Sequence, residues 1–172
     1  MKQHIGKSYD KVDAKGILTG KPSYTRDFVP KDALIIKALR SPHAQARIKS
    51  IDTSKAKLIP GVEAIFTYED VPNTRYTLAG QTYPEPSAYD ALILDPVVRY
   101  VGDEVALIVA KDEATALKAM PLIKVEYDVQ TPVLDMHTAI DHETIVHPED
   151  DIHNNIPVGQ DYKRNICVSY HK

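Results

Sequence analysis

The stretch SPHAQARIKSID, residues 41–52, places a hydroxyl, an imidazole and a carboxylate within twelve residues. These are the groups of a nucleophilic triad, in which an oriented base takes the proton of the attacking oxygen. The spacing argues against that chemistry. Ser41 lacks the flanking glycines that lift a nucleophile out of a strand-to-helix elbow. Asp52 stands at the far end of the next extended segment, roughly 30 Å from Ser41 if the backbone is stretched. The reading that fits is a strand connection. Pro42 fixes the turn, His43 packs and hydrogen-bonds there, and Asp52 caps a following helix.

The remaining chemical residue types are scattered. His137, His142, His147 and His153 stand five, five and six apart among Asp135, Asp141, Glu143, Glu149, Asp150 and Asp151. Two ligands on one helix face need a spacing of three or four, so these residues read as a polar tail and no metal is expected. Cys167 is the only cysteine, which excludes an internal disulfide or a cluster held by this chain alone, and it reads as a core thiol. No G-x-G-x-x-G, phosphate loop, C-x-x-C or H-E-x-x-H occurs, so neither a catalytic nor a cofactor-binding residue is assigned.

The totals narrow the setting. With 43% apolar residues in 172, one core can form. No run of 18 apolar residues is present, so no membrane span is expected. The polar start does not read as a secretory signal, and with one cysteine a cytoplasmic location is expected. Residues 1–50 carry eleven Lys/Arg against four Asp/Glu, a charge of +7, and the rest of the chain carries −10. The basic residues are spaced singly without aromatic platforms, so nucleic acid is not expected as a partner.

Periodicity supplies the scaffold. Residues 1–32 read as an extended lead-in with turns at Gly16, Gly20, Pro22 and Pro30. ALIIKAL (33–39) and ARIKSID (46–52) read as strands, SKAKLI as a short helix stopped by Pro60-Gly61, and VEAIFTY (62–68) as a strand burying Val62, Ala64, Phe66 and Tyr68. The same order returns. VVRYV (97–101) is a strand and Gly102-Asp103 a tight turn. VALIVA (105–110) is apolar throughout, as a strand buried on both faces is. Asp112 caps a helix with Ala114, Leu117 and Met120 on its inner side, limited by Pro121, and IKVEYDV (123–129) alternates cleanly. The sequence thus predicts an α+β fold of two strand–strand–helix–strand units, at about 33–68 and 97–129. Between them, residues 71–96 hold four prolines and little periodicity; a connection this long is usually functional or a partner surface, and it is expected to be the most disordered internal segment of the isolated domain. Ile166, Val168 and Tyr170 alternate like a strand whose continuation is missing.

Three blocks resemble the N-terminal part of the molybdenum-binding (large) subunit of the xanthine dehydrogenase and aldehyde oxidase family. They are GKSYDKVDAKGILTGKPSYTRDF (6–28), LRSPHAQARIKSIDTSKAKLIPGVEAIFTYEDVP (39–72) and YVGDEVALIVAKDEATALKAMPLIKVEYDVQTPVLDMHTAI (100–140). The resemblance implies an α/β-hammerhead fold with a mixed sheet. It divides the chain into a lead-in (1–32), the hammerhead domain (33–140) and a linker (141–172) toward molybdopterin-binding domains that follow. It implies a parent enzyme that hydroxylates purines or aldehydes with oxygen from water. That parent would use molybdopterin, with iron–sulfur clusters and FAD on partner subunits or domains. None of the family's catalytic or pterin-contacting motifs falls within residues 1–172, so this segment is expected to be an inactive scaffold, colourless and metal-free. Its expected interdomain contacts are Pro42 and His43 of the first turn and Tyr76, Tyr83 and Tyr89 of the long connection, because tyrosine offers apolar area with one polar end. The rival reading is a free-standing binding module whose acidic, His-rich tail takes a metal or a protein partner.

Overall fold

The computed structural model describes residues 5–21, 24–78, 88–154 and 159–170. It divides into two compact units, residues 1–33 and 34–172. The first unit is not the extended lead-in that its glycines and prolines suggested. Ala14–Leu18 form a one-turn helix, α1, and Thr25–Phe28 a 3₁₀ turn. Gly16 lies inside α1, and the helix closes where the Thr19 hydroxyl donates to the Lys15 carbonyl (2.7 Å) and Gly20 turns left-handed (φ +68°).

In the second unit the strands are β1 (Ile35–Arg40), β2 (Ala46–Asp52), β3 (Val62–Phe66), β4 (Ala88–Tyr89), β5 (Val97–Val98), β6 (Glu104–Ala110), β7 (Lys124–Val129) and β8 (His153–Asn154). Helix α2 (Ser54–Lys57) joins β2 to β3, and α3 (Glu113–Ala119) joins β6 to β7. Strand, strand, helix, strand therefore does occur twice. The pairing was not legible in that order. One antiparallel sheet runs β1–β6–β3 and the other β5–β2–β7, while β4 and β8 form a short ribbon. The second strand of each unit thus lies between the first and third strands of the other, so neither unit completes a sheet by itself.

Bulges decide which residues face inward. In β2 the register shifts between Ile48, opposite Tyr127, and Ser50, opposite Glu126. Ala46 and Ile48 are buried before the shift, and Ile51 turns inward after it, so Ser50, which simple alternation from Ala46 and Ile48 would place inside, is exposed. In β3 a shift around Glu63 flips the face again. Ile65 is buried opposite Ile108, and Phe66, expected inside, points outward. β5 covers only Val97–Val98 of the five residues expected, because the chain turns at once to Gly102 (φ +100°). β7 keeps its alternation through Val125 and Tyr127, but Val129 ends exposed.

Two contiguous buried clusters follow. Ala106, Ile108 and Ala110 of β6 meet Ile65, Ala56 of α2, Ala116 and Ala119 of α3, and Ile123. Ala46, Ile48, Val98 and Val105 form the second cluster, and Leu39, Ile51 and Val125 pack against both. Helix α3 starts where Asp112 Oδ1 accepts from the Thr115 N–H at 2.7 Å. It turns Thr115, Ala116 and Ala119 onto the sheet, the i, i+1, i+4 face that continues from its cap. Leu117, expected to pack over the sheet, is 50% exposed and Ala114 is exposed. A constant step of three drifts around a 3.6-residue helix, and small alanines let the helix lie close to the strands. Pro121 ends the helix as expected, in a 3₁₀ turn over Met120–Leu122.

Candidate functional site

The 41–45 turn is held from inside. The Ser41 hydroxyl donates to the His43 carbonyl and accepts the His43 N–H, both at 3.0 Å. The Ser41 N–H donates to the Asp103 carbonyl, and the Gly102 N–H donates to the Ser41 carbonyl, each at 2.8 Å. The β1–β2 and β5–β6 turns are thereby tied together. Ser41 is buried, and burial raises the nearby Tyr127 hydroxyl while Ser41 beside it opposes that shift. The half-buried His43 ring meets Tyr127 edge-on at 4.8 Å. The Ser54 side chain and the Ser54 N–H, which donates to Asp52 Oδ1 at 2.9 Å, hold the Asp52 carboxyl below the usual range, and the N-cap of α2 is Thr53 rather than Asp52. The hydroxyl, imidazole and carboxylate of the first motif are thus engaged with three different neighbours.

The most elaborate polar cluster centres on Arg99. The motif DPVVRYVGD sets aspartates four residues to either side of it. Asp103 Oδ2 accepts the Arg99 N–H at 2.9 Å and Asp95 Oδ2 accepts its guanidinium at 2.8 Å. The guanidinium also donates to the carbonyls of Val97 (3.1 Å) and Val146 (3.0 Å), and it pairs with Glu149. Burial raises the Asp103 carboxyl against the N–H groups of Arg99 and Glu104 that it accepts from. Burial pushes Glu149 the same way. There the facing His147, its own backbone N–H and the Arg99 cation outweigh it, and the carboxyl sits at about 2. His147 Nδ1 lies 3.7 Å from Glu149 Oε2 and Nε2 lies 3.8 Å from Asp90 Oδ2, too long for hydrogen bonds. Arg75, nearly buried, adds a second clasp to Asp151 (2.8 Å) and to the Asp90 carbonyl (2.9 Å).

These clasps alter the reading of the tail and of the long connection. The segment expected to be a plain polar tail is held to β5 by Arg99. It is closed on itself by Asn165, which donates to the carbonyls of Ala139 and Thr144, and by the Arg164–Asp141 pair. The expected strand through Ile166, Val168 and Tyr170 does not form. Ile166 makes one bridge to Asp161 after a 3₁₀ turn, so Cys167 is exposed rather than in a core. The two described arms of the 71–96 connection are paired. Tyr76 and Ala91 exchange backbone hydrogen bonds (2.9 and 3.1 Å), and Ala88–Tyr89 pair with His153–Asn154. A cleft of about 300 Å³ opens beside this connection, with Arg47, Tyr68, Asn73, Arg75 and Glu149 in its wall.

Of the expected contact residues, Pro42 is exposed, His43 and Tyr89 are half-buried and Tyr76 is 40% exposed. Tyr83 lies outside the described residues. Sequence reasoning missed Arg99, although a charged residue between apolar ones, flanked by acids at i−4 and i+4, was a signal available in the sequence. Among the described residues no three of His, Cys, Asp or Glu gather as a metal-binding group. No step through molybdopterin, an iron–sulfur cluster or a flavin is assigned to these residues.

The interlocked antiparallel sheets and their clasped polar border define a small α+β domain whose buried charges hold segments in place. Residues 19–131 match the family model for the aldehyde oxidase and xanthine dehydrogenase a/b hammerhead domain, and the chain belongs to that family. A probable hypoxanthine oxidase of Escherichia coli O157:H7 is 39% identical over 97% of this chain and 20% of its own length. The xanthine dehydrogenase molybdenum-binding subunit of the same organism is 39% identical over 72% of this chain and 17% of its own. Quinoline 2-oxidoreductase from Pseudomonas putida 86 superposes with a TM-score of 0.69 at 34% identity, covering 85% of this chain and 19% of that one. The chain spans about a fifth of the length of each of these three.

Proposed function

We propose that this chain is the N-terminal, non-catalytic scaffold domain of a molybdenum hydroxylase. The whole protein would hydroxylate a purine or an aldehyde at carbon, with water as the oxygen source. The observation that carries this reading is the match to a relative named as a hypoxanthine oxidase across 97% of this chain but only a fifth of that protein. That relative favours a purine as the substrate. In this reading residues 141–172 lead toward molybdopterin-binding domains of the same polypeptide, and iron–sulfur and FAD subunits or domains carry the electrons away. No described helix is long and apolar enough to cross a membrane, and a cytoplasmic enzyme fits this reading. Pro42, His43, Tyr76, Tyr83 and Tyr89 are its interdomain contacts. The rigid, proline-fixed turn and the tyrosine-bearing connection lose little freedom on docking.

The test combines the gene with hydrogen exchange. A reading frame that continues for several hundred residues, together with slower amide exchange at 73–78 and 88–91 in the assembled enzyme than in the 172-residue chain, is the expected result. A frame closing near Lys172 would favour a free-standing module instead. Equal protection in both forms would remove the connection from the interface.

A further inference from the structure

The central strand β6 is apolar from Val105 to Ala110, yet its two faces fare differently. Ala106, Ile108 and Ala110 are fully buried beneath α2 and α3 and Val105 is buried in the second cluster, whereas Leu107 and Val109 are only half-buried. Register places two complete cross-strand rows on that second face. Ile36, Val109 and Ala64 form one row, and Ala38, Leu107 and Phe66 form the other. All six side chains are apolar. Ile36 is 61% exposed and Phe66 40%. The bulge around Glu63 is what turns Phe66 to this side. A solvated sheet face alternates apolar-in with polar-out, and this face lacks the polar residues that water selects.

We propose that this outward face of the β1–β6–β3 sheet is the seat of an apolar element from the part of the longer polypeptide outside these 172 residues. The proposal rests on the scaffold reading above and names a second surface, distinct from the 41–45 turn and the 71–96 connection. Two observations select that occupant. The two Escherichia coli relatives are about five times as long as this chain, and on the scaffold reading most of the protein lies elsewhere in the same polypeptide. The patch has six residues, far below the roughly 20–30 a side that a stable interface between separate molecules brings together. A contact this small holds when the partner is tethered, because tethering replaces a second-order association with a high local concentration. The seat carries no charge, so the contacting side of the occupant is aliphatic or aromatic without Lys, Arg, Asp or Glu.

Photo-cross-linking in the full-length holoenzyme tests this directly. The variant Phe66→p-benzoylphenylalanine keeps an aromatic ring on the face, and mass spectrometry after irradiation identifies its neighbour. The expected product joins position 66 to an apolar residue beyond position 172 of the same chain. The same replacement at Ile36 is a second probe should the first variant fold poorly, and it is expected to reach the same element. A product with residues 1–33, with another copy of the chain or with a different subunit would overturn the proposal, as would the absence of any product from both probes. A frame that closes at Lys172 would sink the scaffold reading. A long frame with cross-links elsewhere would sink this inference alone.

Discussion

Truncating Ile108 to alanine tests the placement of the inner face most severely. Ile108 is fully buried and sits between Lys37 of β1 and Ile65 of β3, with the alanines of α3 across from it. The change removes three methyl or methylene groups, worth about 0.8 kcal/mol each when buried, or about 2.4 kcal/mol of transfer. The strand is clamped on both sides by ladder hydrogen bonds, so the space collapses only in part, and the residual cavity adds on the order of 1 kcal/mol. A loss of about 3–4 kcal/mol is expected. In a chain of this size that lowers Tm by roughly 10 °C. Urea melts of both proteins give the number, with an unchanged m value as the sign that only stability moved. Leu117→Ala is the internal comparison. Half-exposed on the outer side of α3, it is expected to cost under about 1 kcal/mol. A loss below 1 kcal/mol at Ile108, or an equal loss at Leu117, would refute the assigned helix face and strand orientation.

Two further expectations concern the Arg99 clasp. Glu149 at about 2 lies below the 4.5 of a free carboxyl, so its contribution is fully present above about pH 4.5 and is lost as pH falls toward 2; in urea midpoints measured from pH 6 to pH 2, Glu149→Gln should flatten that acid limb, and an unchanged limb would show that other carboxylates set it. Arg99→Met leaves Asp95 and Glu149 without their cation in a mostly buried setting and should cost about 2–4 kcal/mol, with faster hydrogen exchange at Val146 because the turn that it anchors is released.

Much of the domain was legible because half-buried strands announce themselves by alternation and short helices by their caps. Asp112 and Pro121 bracketed α3 correctly, and ARIKSID matched β2 residue for residue. What escaped was whatever depends on partners distant in sequence. Single extra residues at Lys49 and Glu63 reverse the inward face, and a bulge is a property of the pairing rather than of the strand. The inner face of α3 was misassigned because the aliphatic residue at 117 outweighed the alanines that permit close approach. The order of the tail went unread because its anchor, Arg99, lies some fifty residues earlier in the chain. For the same reason the catalytic-looking Ser41, His43 and Asp52 are adjacent in sequence yet serve three separate local tasks.

The exchange of second strands between the two units has a consequence during synthesis. Strand β2 is complete at Asp52, but the flanking strands that it needs, β5 and β7, lie at Val97–Val98 and Lys124–Val129. At roughly 5–20 residues per second, the ribosome leaves β2 without its second neighbour for about 4–15 s. Until β5 and β6 have followed, Ala46 and Ile48 have no strand beside β2 to close over them, and β1 and β3 have no β6 between them. Each sheet can close only when the second half of the domain has been made, because each takes its middle strand from one half and its flanking strands from the other.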